Sequence, residues 1–437
     1  MNNRRLLAGL LVVALSGIGA RAYGQVVTTL EEVFEMAEAN SLQLRPSLAA
    51  ELEARQEISV AGAKRLPDIN VGLSLSYIGN GFITKRDFTD YQTAHIPHFG
   101  NTLGISVAQP VYTGGAITAG IEMAELKLTA ARYATELQRD NLRMQLTGFY
   151  LDIYKYCNLR AVVESNIAQA GKVLAEMRAR YEQGVALQND ITRYELLVSN
   201  LELQLVKINN LISILNDNLV TIAGFPEGIM IQPDSALLSR SLPSQSAEAW
   251  QTDALANSPT IKLARSGVDL SLKGEQLARA ERLPNVGLQA GWNFDGPILT
   301  EVPPINRNLS YWYVGVGVTY NLSSLYKTNK SVSRSRAATA QAHAALDAAQ
   351  ESTELVVHAD YVRYLEAYEE LNTQNKNVEL ADRNYATVFA RYSEGTALIT
   401  DMLDAANTKL DAEQQLVNAR INIIYYYYKL LFTSGKI

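Results

Sequence analysis

The chain has 437 residues, 47% of them hydrophobic and 19% charged, with a net charge of −6. That is enough apolar material for a large core, and the mild acidity excludes a nucleic-acid binder, which needs a basic footprint. A single cysteine, Cys157, excludes a disulfide framework, and four histidines (His95, His98, His343, His358) leave little for a multi-histidine metal site.

The chain opens with the basic stretch "MNNRR", a short apolar run and the small residues of "ARAYGQ". This predicts a secretory signal peptide over residues 1–24, cut after Ala22 or Gly24. The apolar run is shorter than the roughly 20 residues of a spanning helix. No cysteine follows it to carry a lipid, and no later apolar run reaches about 18 residues. If the mature chain crosses a membrane, it must do so as strands. "VVTTL" (Val26–Leu30) then leads into a helix, with Thr29 as its cap and Glu32 three residues on.

From here the sequence is written twice. "ANS" at Ala39 returns at Ala256, and "RLP" at Arg65 returns at Arg282, an offset of roughly 217. Gly104 to Gly315 and Gly184 to Gly395 give roughly 211, so the first copy holds about six extra residues between Pro67 and Gly104. An insertion accepted at one spot marks a surface loop. The expected organisation is a first repeat over 25–225, a connecting segment over 226–245 and a second repeat over 246–437.

Each repeat reads as helix, strand pair, very long helix, glycine break, helix. The strand pairs are expected near 69–79 and 102–112, then near 285–294 and 311–322. There the hydrophobic period falls to two: Ile69, Val71, Leu73, Leu75 and Tyr77 share a face, as do Trp312, Val314, Val316, Val318 and Tyr320. The runs have the length of tilted bilayer strands, with aromatics at their ends. Soluble hairpins explain the alternation equally well. Export and the small, uncharged opposite face (Gly72, Ser74, Ser76) favour the membrane.

No proline interrupts Ile117 to Glu182, which predicts a helix on the order of 100 Å long. Beyond it, Ile191, Tyr194, Val198, Leu201, Leu205, Ile208, Ile212, Leu215, Leu219 and Ile222 alternate spacings of three and four, a coiled-coil stripe. The breaks "RYEQGVALQND" and "RYSEGTALITD" are therefore hairpin tips, near 181–190 and 392–401, with Gly184 and Gly395 ending the incoming helices. Four strands cannot span a bilayer alone, because their edges would leave backbone groups unpaired in hydrocarbon. Several copies must share one barrel, and the charged helices must project from it.

These residues resemble the TolC-type outer-membrane efflux proteins over essentially the whole mature chain. The duplicated "RLP" and the tips "RYEQGVALQND" and "RYSEGTALITDMLDA" carry the resemblance. It implies a homotrimer with a 12-stranded transmembrane β-barrel, continued by a long periplasmic α-helical barrel. It further implies an exit duct for efflux or type I secretion, docked to a periplasmic adaptor and an inner-membrane RND or ABC-type pump. Outer-membrane lipid would surround the barrel. By the same resemblance Asp190, Tyr392, Asp401 and Asp404 form the periplasmic gate, while Gly184, Val185, Gly395 and Thr396 meet the adaptor. Ala397 departs from the pattern, standing where the family has an arginine. Arg193, opposite Asp404 in the repeat, is either a gate cation or a solvated one.

Other residues draw a plainer reading. His95 and His98 lack a third ligand, so no metal and no cofactor are expected. Cys157 reads as a packed hydrophobe, and "YYYY" at Tyr425–Tyr428 as packing near the membrane. No nucleophile motif or phosphate loop suggests an enzyme. A periplasmic coiled-coil structural or adhesive protein explains the heptads but not the four lipid-length strands.

Overall fold

The computed structural model describes residues 25–437 apart from positions 235, 240, 241, 244 and 302, so the expected signal segment lies outside the described residues. It is 67% helix. Compactness divides the chain otherwise than duplication does. One unit takes residues up to 45 with 138–256 and 354–437; the other takes 46–137 and 257–353. Each unit therefore draws on both copies of the repeat.

The second unit is built on four antiparallel strands: β2 (Asp68–Tyr77), β5 (Phe99–Tyr112), β7 (Asn285–Gly296) and β8 (Leu309–Thr319), in the order β2-β5-β7-β8. The long β2–β5 connection carries a small hairpin of β3 (Gly81–Ile83) and β4 (Gln92–Ala94). The register turns the alternation into rows: Val71 lies opposite Ile105, Ile105 opposite Trp292, and Trp292 opposite Trp312. The next row runs Ile69, Val107, Ala290, Val314. This apolar face is uncovered, with Val71 at 69% and Trp312 at 75% exposure. The outer edges of β2 and β8 have no strand partner among the described residues. His98 spends its Nδ1 on the Ile78 carbonyl at 2.8 Å and stacks on Tyr77, closing the β2–β5 loop.

Helices α2 (Arg45–Ala63) and α7 (Pro259–Ala280) precede the two strand pairs. Helix α3 (Ala116–Glu182) follows the first pair and α8 (Ser324–Ser393) the second, at 67 and 70 residues. Among the described residues no helix is long and apolar enough to cross a membrane.

The first unit holds the other ends of α3 and α8 with α4 (Gln188–Ala223) and α9 (Ile399–Thr433). On α4 the expected stripe is the packed one: Ile191, Tyr194, Leu201, Ile208, Ile212 and Leu219 are buried. Each such side chain withdrawn from water contributes about 1.5–3 kcal/mol. Helix α1 (Leu30–Asn40) starts at a full capping box, the Thr29 N–H donating to Glu32 at 2.9 Å and the Glu32 N–H to Thr29 Oγ1 at 3.2 Å.

The connecting segment holds a feature that its composition concealed. β6 (Met230–Pro233) pairs in parallel with β1 (Gln25–Thr28), two four-residue strands from distant parts of the chain. Asn216 supports β6, its amide donating to the Ile229 carbonyl and accepting the Ile231 N–H, both at 2.8 Å. The Tyr150 hydroxyl donates to the Thr28 carbonyl and accepts the Asp234 N–H, also at 2.8 Å. Burial pushes this phenol up to about 12, against the pull of the Asp234 amide.

Tyr427 meets Trp250 edge-on and Tyr428 joins the core of Leu30, Tyr150 and Ile231. These contacts lie in the first unit. Cys157 is half-buried against the helical core, and burial raises its thiol pKa.

Candidate functional site at the helical hairpin tips

Both tips use one backbone device. Gly184 (φ 77°) sends its N–H to the Tyr181 carbonyl at 2.8 Å, and the Val185 N–H reaches back to Arg180 at 3.0 Å. Gly395 (φ 75°) and Thr396 repeat this on Tyr392 and Arg391, at 3.0 and 2.8 Å. This is the Schellman closure, in which a left-handed residue lets two amides satisfy the last carbonyls of a helix. A Cβ at either glycine would meet nothing within 4 Å, so conformation rather than crowding selects glycine. Val185 and Thr396, the next residues, are exposed.

The helices leaving the tips start differently. Asp401 occupies the third position of α9 and accepts the Leu398 N–H at 3.1 Å. Asp190 occupies the third position of α4, whose cap residue Leu187 has no side-chain partner. Asp401 and Asp404 are exposed three residues apart, and Arg193 is exposed as well. Ala397 carries no side-chain donor.

Tyr392 and Asp190 come within electrostatic range without a hydrogen bond between them. Burial and then the Asp190 charge raise the Tyr392 phenol pKa, while Arg180 pulls it down. At the tips Arg180 reaches across between the hairpins: Nη2 pairs with Glu176 at 2.9 Å, and Nη1 points at the Tyr392 carbonyl, 3.5 Å away.

A polar cluster behind the tips went unread in the sequence. Lys409 Nζ lies 2.9 Å from Asp382, 3.8 Å from Glu413 and 3.5 Å from the Gln169 side-chain Oε1, and 5.2 Å from the Tyr385 ring centre. Burial opposes its charge, but Asp382 and Glu413 outweigh burial and raise its pKa. Tyr194 is buried; burial and then the neighbouring Tyr385 raise its pKa. Asn166 completes the set by donating to Glu413 at 2.7 Å. The Lys409/Glu413 spacing was visible in the sequence, whereas Asp382 and Gln169 arrive from other helices. Among the described residues no cluster of three metal-ligating side chains occurs.

Known proteins give this arrangement a setting. The family model "Outer membrane efflux protein" matches residues 33–224 and 250–425. "Outer membrane efflux protein BepC" of Brucella suis is 22% identical, covering 97% of this chain and 89% of that protein. "Outer membrane protein TolC" of Escherichia coli is 21% identical, covering 96% of this chain and 84% of that protein. The crystal structure of the outer membrane protein VceC from Vibrio cholerae superposes with a TM-score of 0.77 at 18% identity, covering 93% of this chain and 96% of VceC. CusC superposes at 0.76 with 15% identity, covering 97% of this chain and 95% of that one. The relatives are channels rather than enzymes. With most of its length inside the match, this chain belongs to the outer membrane efflux protein family, whose place is the outer membrane of Gram-negative bacteria, extending into the periplasm.

Proposed function

We propose that the protein is the passive exit duct of a tripartite efflux or type I secretion system. Three copies would close a 12-stranded barrel and continue it as a periplasmic helical barrel. The observation that carries this is the sheet: four strands, one continuous uncovered apolar face and two open edges. Unpaired edge groups in hydrocarbon cost several kcal/mol each. The smallest barrels have about eight strands, so sister copies must supply the rest.

The helices support the same reading. Leu196, Leu203 and Ile214 lie on the face of α4 opposite its packed stripe, each more than half exposed. Leu355 and Val362 do likewise on α8, at 64% and 48% exposure. A helix apolar on two faces is built to be covered on both.

At the inner end the tips would serve as gate and dock. Asp401 and Asp404, repeated by symmetry, would ring the entrance with carboxylate and favour cations. Asp190 and Tyr392 would restrain the closed state across the two hairpins, with Ala397 leaving that restraint weaker than the family's. Gly184, Val185, Gly395 and Thr396 would meet a periplasmic adaptor, itself joined to an RND or ABC-type pump.

The direct test is purification of the mature protein. A detergent-dependent, heat-modifiable trimer that conducts in planar bilayers is expected; a single, water-soluble chain would refute the duct. For the gate, Tyr392→Phe and Asp190→Ala should each raise the open fraction of single channels, and unchanged opening in both removes the proposed restraint.

A further inference from the structure

The helical end of the sheet carries a groove that the duct does not use. Helix α2 stops at Ala63, and Lys64, Arg65 and Leu66 follow before β2 begins. Gln109 of β5 donates Nε2 to the Arg65 carbonyl at 2.9 Å, pinning this corner to the sheet. Beside it runs a groove of about 340 Å³ between α2, α3 and α7, walled by Val60, Ile117, Gly120, Met123 and Leu277, with Lys64 on its lining. Lys127 and Glu57 also line it but consume each other in a 2.6 Å ion pair. Lys64 and Arg65 are exposed and form no ion pair among the described residues.

The level of this groove decides what it meets. The helices extend into the periplasm, so the start of β2 and the end of β8 lie at the periplasmic headgroup plane. Past the far edge of the sheet similar chemistry recurs. Leu322, Leu325 and Tyr326 are exposed, Lys327 follows in the first turn of α8, and Lys330 and Arg334 lie further along that helix, all three exposed and without an ion pair among the described residues. The chain as a whole carries a net charge of −6, so this cationic belt runs against the overall balance. Cations beside exposed apolar side chains at a membrane boundary match an anionic lipid surface.

We propose that the groove seats an acyl chain of an anionic glycerophospholipid of the periplasmic leaflet, with the lipid phosphate on Lys64 and Arg65. This rests on the membrane placement of the sheet proposed above. The apolar walls accept the chain, the spent Lys127–Glu57 pair offers a second headgroup nothing, and the two open cations select negative charge.

The test is native mass spectrometry of the full-length oligomer in mild detergent. The probe is an equimolar mixture of palmitoyl-oleoyl phosphatidylglycerol and phosphatidylethanolamine. Wild type should retain phosphatidylglycerol in roughly thirtyfold preference, as two interfacial cations provide, and Lys64→Gln/Arg65→Gln should bring the ratio near parity. Gly120→Leu keeps both cations and has open space at its Cβ. It should fill the groove and reduce retention of both lipids. Parity in wild type, an unchanged preference in the double variant, or unchanged retention in Gly120→Leu would overturn the site. Loss of oligomer in Gly120→Leu would also overturn it, assigning the groove to a second copy. Bilayer conductance of the same samples separates the two readings: a conducting oligomer without lipid preference sinks the lipid site and leaves the duct.

Discussion

At the first tip Gly184 sits at φ 77° and Val185 closes on Arg180; at the second Gly395 sits at φ 75° and Thr396 closes on Arg391. The backbone is the same, and the side chains have parted company. Tyr181 is 46% exposed, while its counterpart Tyr392 packs on the helical core. Buried Tyr194 stands where the second hairpin has buried Ala405, large against small. Lys409, centre of the polar cluster, corresponds to the apolar Val198. Asp401 caps its helix, whereas Asp190 leaves the cap open and acts on Tyr392 instead. The two tips thus share the turn, which conformation dictates, and differ at the positions around it.

The harshest test of backbone equivalence is the pair that packs beneath each turn. Ile191 and Met402 are counterparts, 3% and 0% exposed. Ile191→Ala and Met402→Ala should each cost about 2–5 kcal/mol, read from thermal unfolding by circular dichroism. A loss confined to one of them would break the comparison. Lys409→Met probes what only the second hairpin has. Stranding Asp382 and Glu413 should cost about 1–3 kcal/mol, while Val198→Met should cost less.

The lysine cluster also has a pH signature. Its folded pKa is raised above the ordinary 10.5, so its contribution is fully present below that value and is lost as pH rises through the higher folded value. The stability gap between wild type and Lys409→Met should hold flat from neutral to about pH 10 and close above it. A gap that closes near neutrality would assign the effect to another group.

Much of this was legible beforehand because it follows from local rules. Glycine at a helix end, alternation on β2 and β8, and the three-four spacing on α4 each need only a short window. The β1–β6 pairing was not legible, since two four-residue strands some two hundred residues apart carry too little pattern. The bracing by Asn216 and Tyr150 depends on where distant backbone falls. Nor could spacing divide the chain into compact units, because α3 and α8 each supply residues to both. At the tips the sequence marked Asp190 and Tyr392 as partners, and the structure puts electrostatics there without a hydrogen bond. The reach of Arg180 to the Tyr392 carbonyl follows from where a distant helix falls, which no local spacing marks.

Gly184→Ala and Gly395→Ala bear on the turn itself. Each forces a side chain into the left-handed region at a cost of about 1 kcal/mol, equal at both tips because neither meets a neighbour. The smallest and most discriminating effect belongs to the two aspartates. Asp401→Ala removes the carboxylate that accepts the Leu398 amide, and should lower stability by about 0.5–1 kcal/mol. Asp190→Ala removes no cap, so its stability should move by less than about 0.5 kcal/mol, the ordinary range for a surface change. If Asp190 restrains the entrance through Tyr392, the same substitution should raise channel opening, and Tyr392→Phe should add little further opening on top of it. Additive effects of the two substitutions would mean that they act separately. In that case the paired positions would differ only in capping, and the proposed gate restraint would lose its pair.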